Sequence, residues 1–138
     1  MLRLVLPAVV LFAACDAGIP FPAQPWDLSG RSMDEDEAIR QKLRDEIDAL
    51  VGDATCRDVS ECSAVAIGSK PCGGPWFWMA YSTTVTDTAA LQKLVATYDW
   101  VDAFINDKWG IGSNCAYTRD PILVCRDGAC RNIQAPAQ

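Results

Sequence analysis

Cysteine is the residue type in this chain with the greatest chemical potential, because it can ligate zinc, act as a nucleophile or form disulfides. Six of the seven cysteines are Cys56, Cys62, Cys72, Cys115, Cys125 and Cys130. Zinc is disfavoured because these six include no Cys-x-x-Cys pair and the chain has no histidine. An even number of cysteines in a small domain therefore predicts three disulfides, for which fifteen connectivities exist.

Catalytic residues are harder to find than crosslinking ones. Without histidine the chain cannot form a Ser-His-Asp or a Cys-His arrangement, and oxidised cysteines are not nucleophiles. A glycosidase-like carboxylate pair, with Trp76 and Trp78 stacking on a sugar, is conceivable. The acids fall on solvent-facing helix positions, however, where their pKa values should stay ordinary. No glycine-rich phosphate loop precedes a helix. We therefore expect no enzymatic activity, no catalytic residues, no cofactor and no metal.

Residues 70–75, with the sequence Lys-Pro-Cys-Gly-Gly-Pro, are the segment best suited to contact a partner. Proline restricts φ, glycine permits backbone angles closed to other residues, and a disulfide at Cys72 would hold the middle. A preorganised exposed loop loses little conformational entropy on binding. The candidate partner-binding residues are Lys70, Pro71, Gly73, Gly74, Trp76 and Trp78. The alternative is a structural turn, with both tryptophans packed in the core.

The same loop raises an alternative function, inhibition of an exported hydrolase such as a protease or lysozyme. Lys70 would then be the residue that enters the active site of a trypsin-like enzyme. Pro71 would follow the scissile bond, a position where such enzymes accept proline poorly. The favoured interpretation is therefore a binding or interaction module whose partner is a protein or a glycan.

The N-terminus has the order of an export signal. Arg3 is followed by an apolar run from residue 4 to residue 12, and Ala13-Ala14 precedes Cys15. A membrane span is not expected, since one needs about 20 apolar residues. The pattern resembles the lipobox of bacterial lipoprotein precursors, and this resemblance implies that Cys15 carries the lipid. The alternative is that Cys15 ends an ordinary secretory signal, and in both cases the chain is exported.

The charge balance limits the partners. The chain has a net charge of −6, which removal of Arg3 makes more negative. Nucleic acid is not expected to bind, because phosphate recognition needs a basic patch. Contact with a membrane should come from the N-terminal lipid rather than from electrostatic attraction. The expected location is a bacterial membrane surface, facing the periplasm or the cell exterior.

Composition divides the chain into four parts. Residues 1–14 are the predicted signal peptide, and residues 15–32 are a lipid-anchored tether rich in proline. Residues 33–134 are the predicted disulfide-rich globular domain, and residues 135–138 are a tail. Trp26 and Leu28 offer an alternative for the tether, since they could pack back on the domain.

The domain's elements follow from hydrophobic periodicity. Apolar residues at helical spacing predict one helix from about Asp34 to Gly52 and another from about Asp87 to Lys108. Period-two patterns predict strands at residues 62–67, 75–82, 122–125 and 129–133. Asp127-Gly128 is typical of a type I′ turn between the last two. The expected fold is α+β, in the order helix-hairpin-helix-hairpin, with an antiparallel sheet of about four strands and the helices on one face.

This fold leads to a hypothesis about the crosslinks. At least one disulfide should join the first hairpin to the C-terminal third of the chain. Cys125 and Cys130 flank the last hairpin and could instead pair with each other. The region from Cys56 to Cys130, with its Lys-Pro-Cys-Gly-Gly-Pro core, also resembles small cysteine-rich bacterial lipoproteins. That resemblance implies no particular activity.

Overall fold

A computed structural model describes residues 27–134 of the chain. The predicted signal peptide, the lipidation site Cys15, most of the proposed tether and the tail at residues 135–138 lie outside the described residues. Within them the fold is α+β, with two long helices, two antiparallel hairpins and three disulfides. The prediction of a disulfide-stapled α+β domain is confirmed.

The first helix, α1 (Met33–Val51), begins with two reciprocal hydrogen bonds. The Ser32 hydroxyl accepts from the backbone N–H of Glu35, and the Glu35 carboxylate accepts from the backbone N–H of Ser32. This capping box satisfies donors that have no partner inside the helix. Gly52 ends the helix with φ +56°, a conformation that favours glycine.

The second helix, α2 (Thr88–Trp109), lies close to its predicted bounds. The Asp87 carboxylate caps it by accepting from the Ala90 N–H at 3.0 Å, and Gly110 ends it in the left-handed conformation. The apolar stripes of α1 and α2 pack into a common core with the first hairpin. Its most deeply buried apolar side chains are Ile47, Ile67, Leu91, Val101 and Ile105.

The strands pair as two separate hairpins. Strand β1 (Cys62–Ile67) pairs with β2 (Phe77–Ser82), and β3 (Leu123–Arg126) pairs with β4 (Ala129–Asn132). A short 3-10 helix, Val59–Glu61, lies just before β1. Asp127 and Gly128 both have positive φ, at 54° and 73°, as a type I′ turn requires.

The prediction of one sheet with about four strands is wrong for the described residues, because β4 does not pair with the first hairpin. β4 and the turn before it bond instead to the segment that follows α1: Cys130 N–H donates to Ala54 O, and Cys56 N–H donates to Gly128 O, both at 2.9 Å. Near the other end, only the Asn132 side chain reaches Trp78 O, at 3.4 Å. The Cys130 N–H is thus bonded to Ala54 rather than to β2.

The packed domain begins earlier than residue 33. Leu28 is 2% exposed and belongs to the core, so the alternative that it packs back on the domain is confirmed. The Lys108 ammonium holds this segment by donating to Leu28 O at 2.6 Å and to Arg31 O at 2.9 Å. Leu28 and the residues up to Arg31 therefore belong to the packed domain, while Trp26 lies outside the described residues.

The same ammonium also neutralises a buried acid. Lys108 Nζ and Trp109 Nε1 donate to Asp36 Oδ2 at 2.6 and 2.9 Å. Burial alone would raise the pKa of Asp36, but these two donors outweigh it, so the pKa lies below its usual value. This cluster fixes the start of α1 against the end of α2.

The disulfides join Cys56 to Cys125, Cys62 to Cys130, and Cys72 to Cys115. The Cys62–Cys130 bridge links β1 to β4, which confirms that the first hairpin is crosslinked to the C-terminal third. Local pairing of Cys125 with Cys130 is wrong, although the two residues face each other across the last hairpin. All three bridges place the domain in an oxidising or extracellular compartment.

Replacing Cys72 and Cys115 together with serine should lower the free energy of unfolding by at most about 4 kcal/mol. The chain-entropy model gives this value for a bridge between residues 43 positions apart. Urea unfolding of the oxidised wild type and the double variant measures the difference. An unchanged free energy would show that non-covalent contacts alone hold these two loops together.

Candidate functional site

Asp102, on the buried stripe of α2, is the residue that positions the candidate loop. It is 1% exposed, and its Oδ2 accepts from Ser69 N–H at 2.8 Å and from the Trp76 indole N–H at 2.7 Å. The Asn106 amide donates to the same oxygen at 3.3 Å, while Arg40 Nη1 donates to Oδ1 at 3.1 Å. One carboxylate therefore joins α1, α2 and both ends of the loop at residues 68–76.

Asp99, one turn before Asp102, holds the start of the same loop. Its Oδ1 accepts from Gly68 N–H at 2.6 Å. Burial raises the pKa of Asp99, the Gly68 N–H partly offsets this, and the nearby Asp102 carboxylate raises it further. Gly68 has φ +84°, and a Cβ there would lie 2.2 Å from Trp76 Cδ1, so only glycine fits.

A second loop segment, residues 113–118, lies along the first. The Cys72–Cys115 bridge connects the two. The Lys70 ammonium donates to Ala116 O at 2.5 Å and to the Thr118 hydroxyl at 2.7 Å. The Thr118 hydroxyl donates in turn to Pro75 O at 2.7 Å. We refer to residues 68–76 and 113–118 as the paired loops, which are held together by one covalent bond and three hydrogen bonds between them.

The structure divides five of the six predicted partner-binding residues into an exposed group and a buried or half-buried group. Pro71, Gly73 and Gly74 are exposed at the tip of the first loop. Lys70 is only 7% exposed, with its ammonium turned toward the second loop. Trp76 is half-buried, and its indole N–H donates a hydrogen bond to Asp102. Lys70 and Trp76 therefore support the loop rather than present a contact surface.

Trp78 and Tyr117 differ in how much of their side chains is exposed to solvent. Trp78 is half-buried, and its buried Nε1 has no hydrogen-bond partner among residues 27–134. Tyr117 is 73% exposed, between two residues that the Lys70 ammonium holds. Tyr117 was not predicted from the sequence, because the segment around it has no apolar periodicity. Its position two residues after Cys115 was the available signal.

Metal binding and acid–base catalysis find little support in this arrangement. The sulfurs of Cys56, Cys62 and Cys130 lie within 4.8 Å of one another, but all three are in disulfides and are not thiolates. Asp99 and Asp102 form the acidic pair closest to the loop, yet Asp102 is too deeply buried to touch a substrate. The paired loops thus present an exposed tip that a disulfide and three hydrogen bonds hold in place.

The chain matches no protein-family model, no curated protein and no solved structure. Among residues 27–134, no helix combines the length and the apolar character that crossing a membrane requires.

Asp102→Asn should lower the free energy of unfolding by about 3 kcal/mol. The amide would place an N–H group against a donor and leave Arg40 without its buried partner. Asp48→Asn is the matched control, since it removes a carboxylate paired with Arg44 on the exposed face of α1. There we expect a change below about 1 kcal/mol. Equal losses in the two variants, measured by urea unfolding, would contradict the role given to Asp102.

Proposed function

We propose that this chain is a lipid-anchored binding module of the bacterial cell envelope, without enzymatic activity, which contacts a protein or glycan through its paired loops. Tyr117 carries the proposal, since it is 73% exposed on a segment whose neighbouring residues are held by a disulfide and a buried lysine. Tyrosine is enriched in recognition surfaces because its large amphipathic ring has few torsions to immobilise.

The rigidity of the surface is the second support. Binding through a flexible loop costs free energy for every side chain and backbone segment that becomes ordered. In this domain the Asp102 contacts and the Cys72–Cys115 bridge already order the loops. Pro71, Gly73 and Gly74 leave the tip free of bulky side chains, so a partner can approach the backbone closely.

The location rests on two independent arguments. Three disulfides require an oxidising compartment. The resemblance of the N-terminus to a lipobox supports Cys15 as the attachment point. The trypsin-like version of the inhibitor alternative has less support, because it needs Lys70 to enter an active site and the Lys70 ammonium is buried against Ala116 and Thr118.

The lipid anchor is tested by expressing the full chain in a bacterium fed an alkyne-labelled fatty acid. The wild type should take up the label and sediment with membranes. Cys15→Ser should do neither, because serine has no thiol to receive the diacylglycerol group. Arg3→Lys, which keeps the early positive charge, is the control and should behave as the wild type. Label in the Cys15→Ser protein would contradict the proposal.

The contact surface is tested by replacing Tyr117 with the photoreactive residue p-benzoylphenylalanine in the full chain. Illumination of intact cells should give a crosslinked species, in which peptides of a second chain identify a protein partner and a mass shift that a glycosidase removes identifies a glycan. The same replacement at Val85, which is 60% exposed beyond β2, is the control and should give none. Equal crosslinking at both positions, or none at Tyr117, would contradict the proposal. A crosslinked hydrolase that has lost its activity would favour the inhibitor alternative.

A further inference from the structure

An open groove of about 520 Å³ lies on the other side of the first loop, between residues 69–71 and the last turn of α2. Its volume is within the range of small-molecule sites. Pro71, Ala103 and Ile111 supply apolar walls, while Ser69, Asn106 and Asp107 supply polar groups. The groove shares Pro71 with the proposed contact surface, but Tyr117 does not line it.

Asn106 is the groove residue whose hydrogen bonds are incomplete in the described part of the chain. Asn106 is 4% exposed, and both contacts of its Nδ2 are internal, to Ser69 O at 2.9 Å and to Asp102 Oδ2 at 3.3 Å. Its Oδ1 is buried and has no partner within residues 27–134. A buried acceptor left without a donor costs free energy, so a ligand that donates here would be stabilised.

The electrostatics of the groove favour a cation. Asp107 is exposed at its edge, and the groove adjoins the C-terminal end of α2, where the helix dipole is negative. Lys70 itself lines the groove, but its ammonium, like that of Lys108, is bonded elsewhere. The Lys70 ammonium donates to Ala116 O and Thr118, and the Lys108 ammonium donates to Asp36 and to the backbone of residues 28 and 31.

We propose that this groove binds the ammonium group of a short aliphatic chain. The ammonium donates to the Asp107 carboxylate and to Asn106 Oδ1, and the methylene groups lie against Pro71 and Ile111. An alkylammonium of this kind occurs in free diamines and in the lysine side chains of peptides. Binding requires a small rotation of the Asn106 amide, because its Oδ1 has almost no exposed surface in the unliganded groove.

The test is a titration of the purified full chain in detergent, followed by the backbone amide signals in NMR spectra. The probes are 1,5-diaminopentane, the Nα-acetyl methylamide of lysine, and the same lysine derivative acetylated at Nε. The two ammonium probes should shift the amides of Ser69, Asn106 and Ile111 in a saturable way. The neutral probe should bind at least about tenfold more weakly, because it lacks a charge-assisted hydrogen bond. Tighter binding of the diamine identifies a free amine as the source, and tighter binding of the lysine derivative identifies a peptide.

Two variants separate this site from general attraction to an acidic protein. Asp107→Asn should weaken both ammonium probes about tenfold, since it removes the charge at the edge of the groove. Asp53→Asn changes the net charge equally at an exposed position outside the groove and should leave the affinity unchanged. Equal weakening by both variants, equal binding of the neutral probe, or no saturable shift at the three amides would overturn the proposal.

Discussion

A carboxylate removed from water must find hydrogen-bond donors, and Asp102 obtains four of them from three separate parts of the chain. The geometry of the first loop depends on this constraint, because Ser69 and Trp76 are fixed at its two ends. The packing of the helices depends on it as well, since Arg40 brings α1 to the same carboxylate. Asp36 repeats the arrangement at the end of the helix pair, where Lys108 and Trp109 are its donors.

The disulfides and the hydrogen bonds of the paired loops restrict different motions of the chain. The disulfides connect segments that lie far apart in sequence, but a bridge alone leaves the loops on either side free to rotate. Hydrogen bonds from Lys70, Thr118 and Trp76 remove that freedom. The exposed tip can therefore consist of proline and glycine and still have one conformation. The polar side chains of the first loop, those of Lys70 and Trp76, are thus used for internal contacts, while proline and glycine form the exposed tip.

Local patterns predicted most of the secondary structure. The bounds of β1 and the turn at Asp127-Gly128 agree with the sequence, because each depends on neighbouring residues only. The full disulfide pairing and the separation of the two hairpins into different sheets were not predictable, since they depend on contacts between distant segments. The burial of Asp102 could have been inferred from the sequence. Asp102 lies four residues after Tyr98 and three before Ile105, at a position of the apolar stripe, and an acid there requires donors from elsewhere in the fold.

Each disulfide closes a loop that contains the whole of α2, while α1 precedes all three. A peptidase that cut once between residues 73 and 114 would leave two fragments still tied by three covalent links. Such a nicked molecule stays in one piece under non-reducing conditions and retains the connection between α1 and its C-terminal hairpin. Where exported peptidases are present, a single cut within this region therefore damages the chain locally and does not release a fragment of the domain.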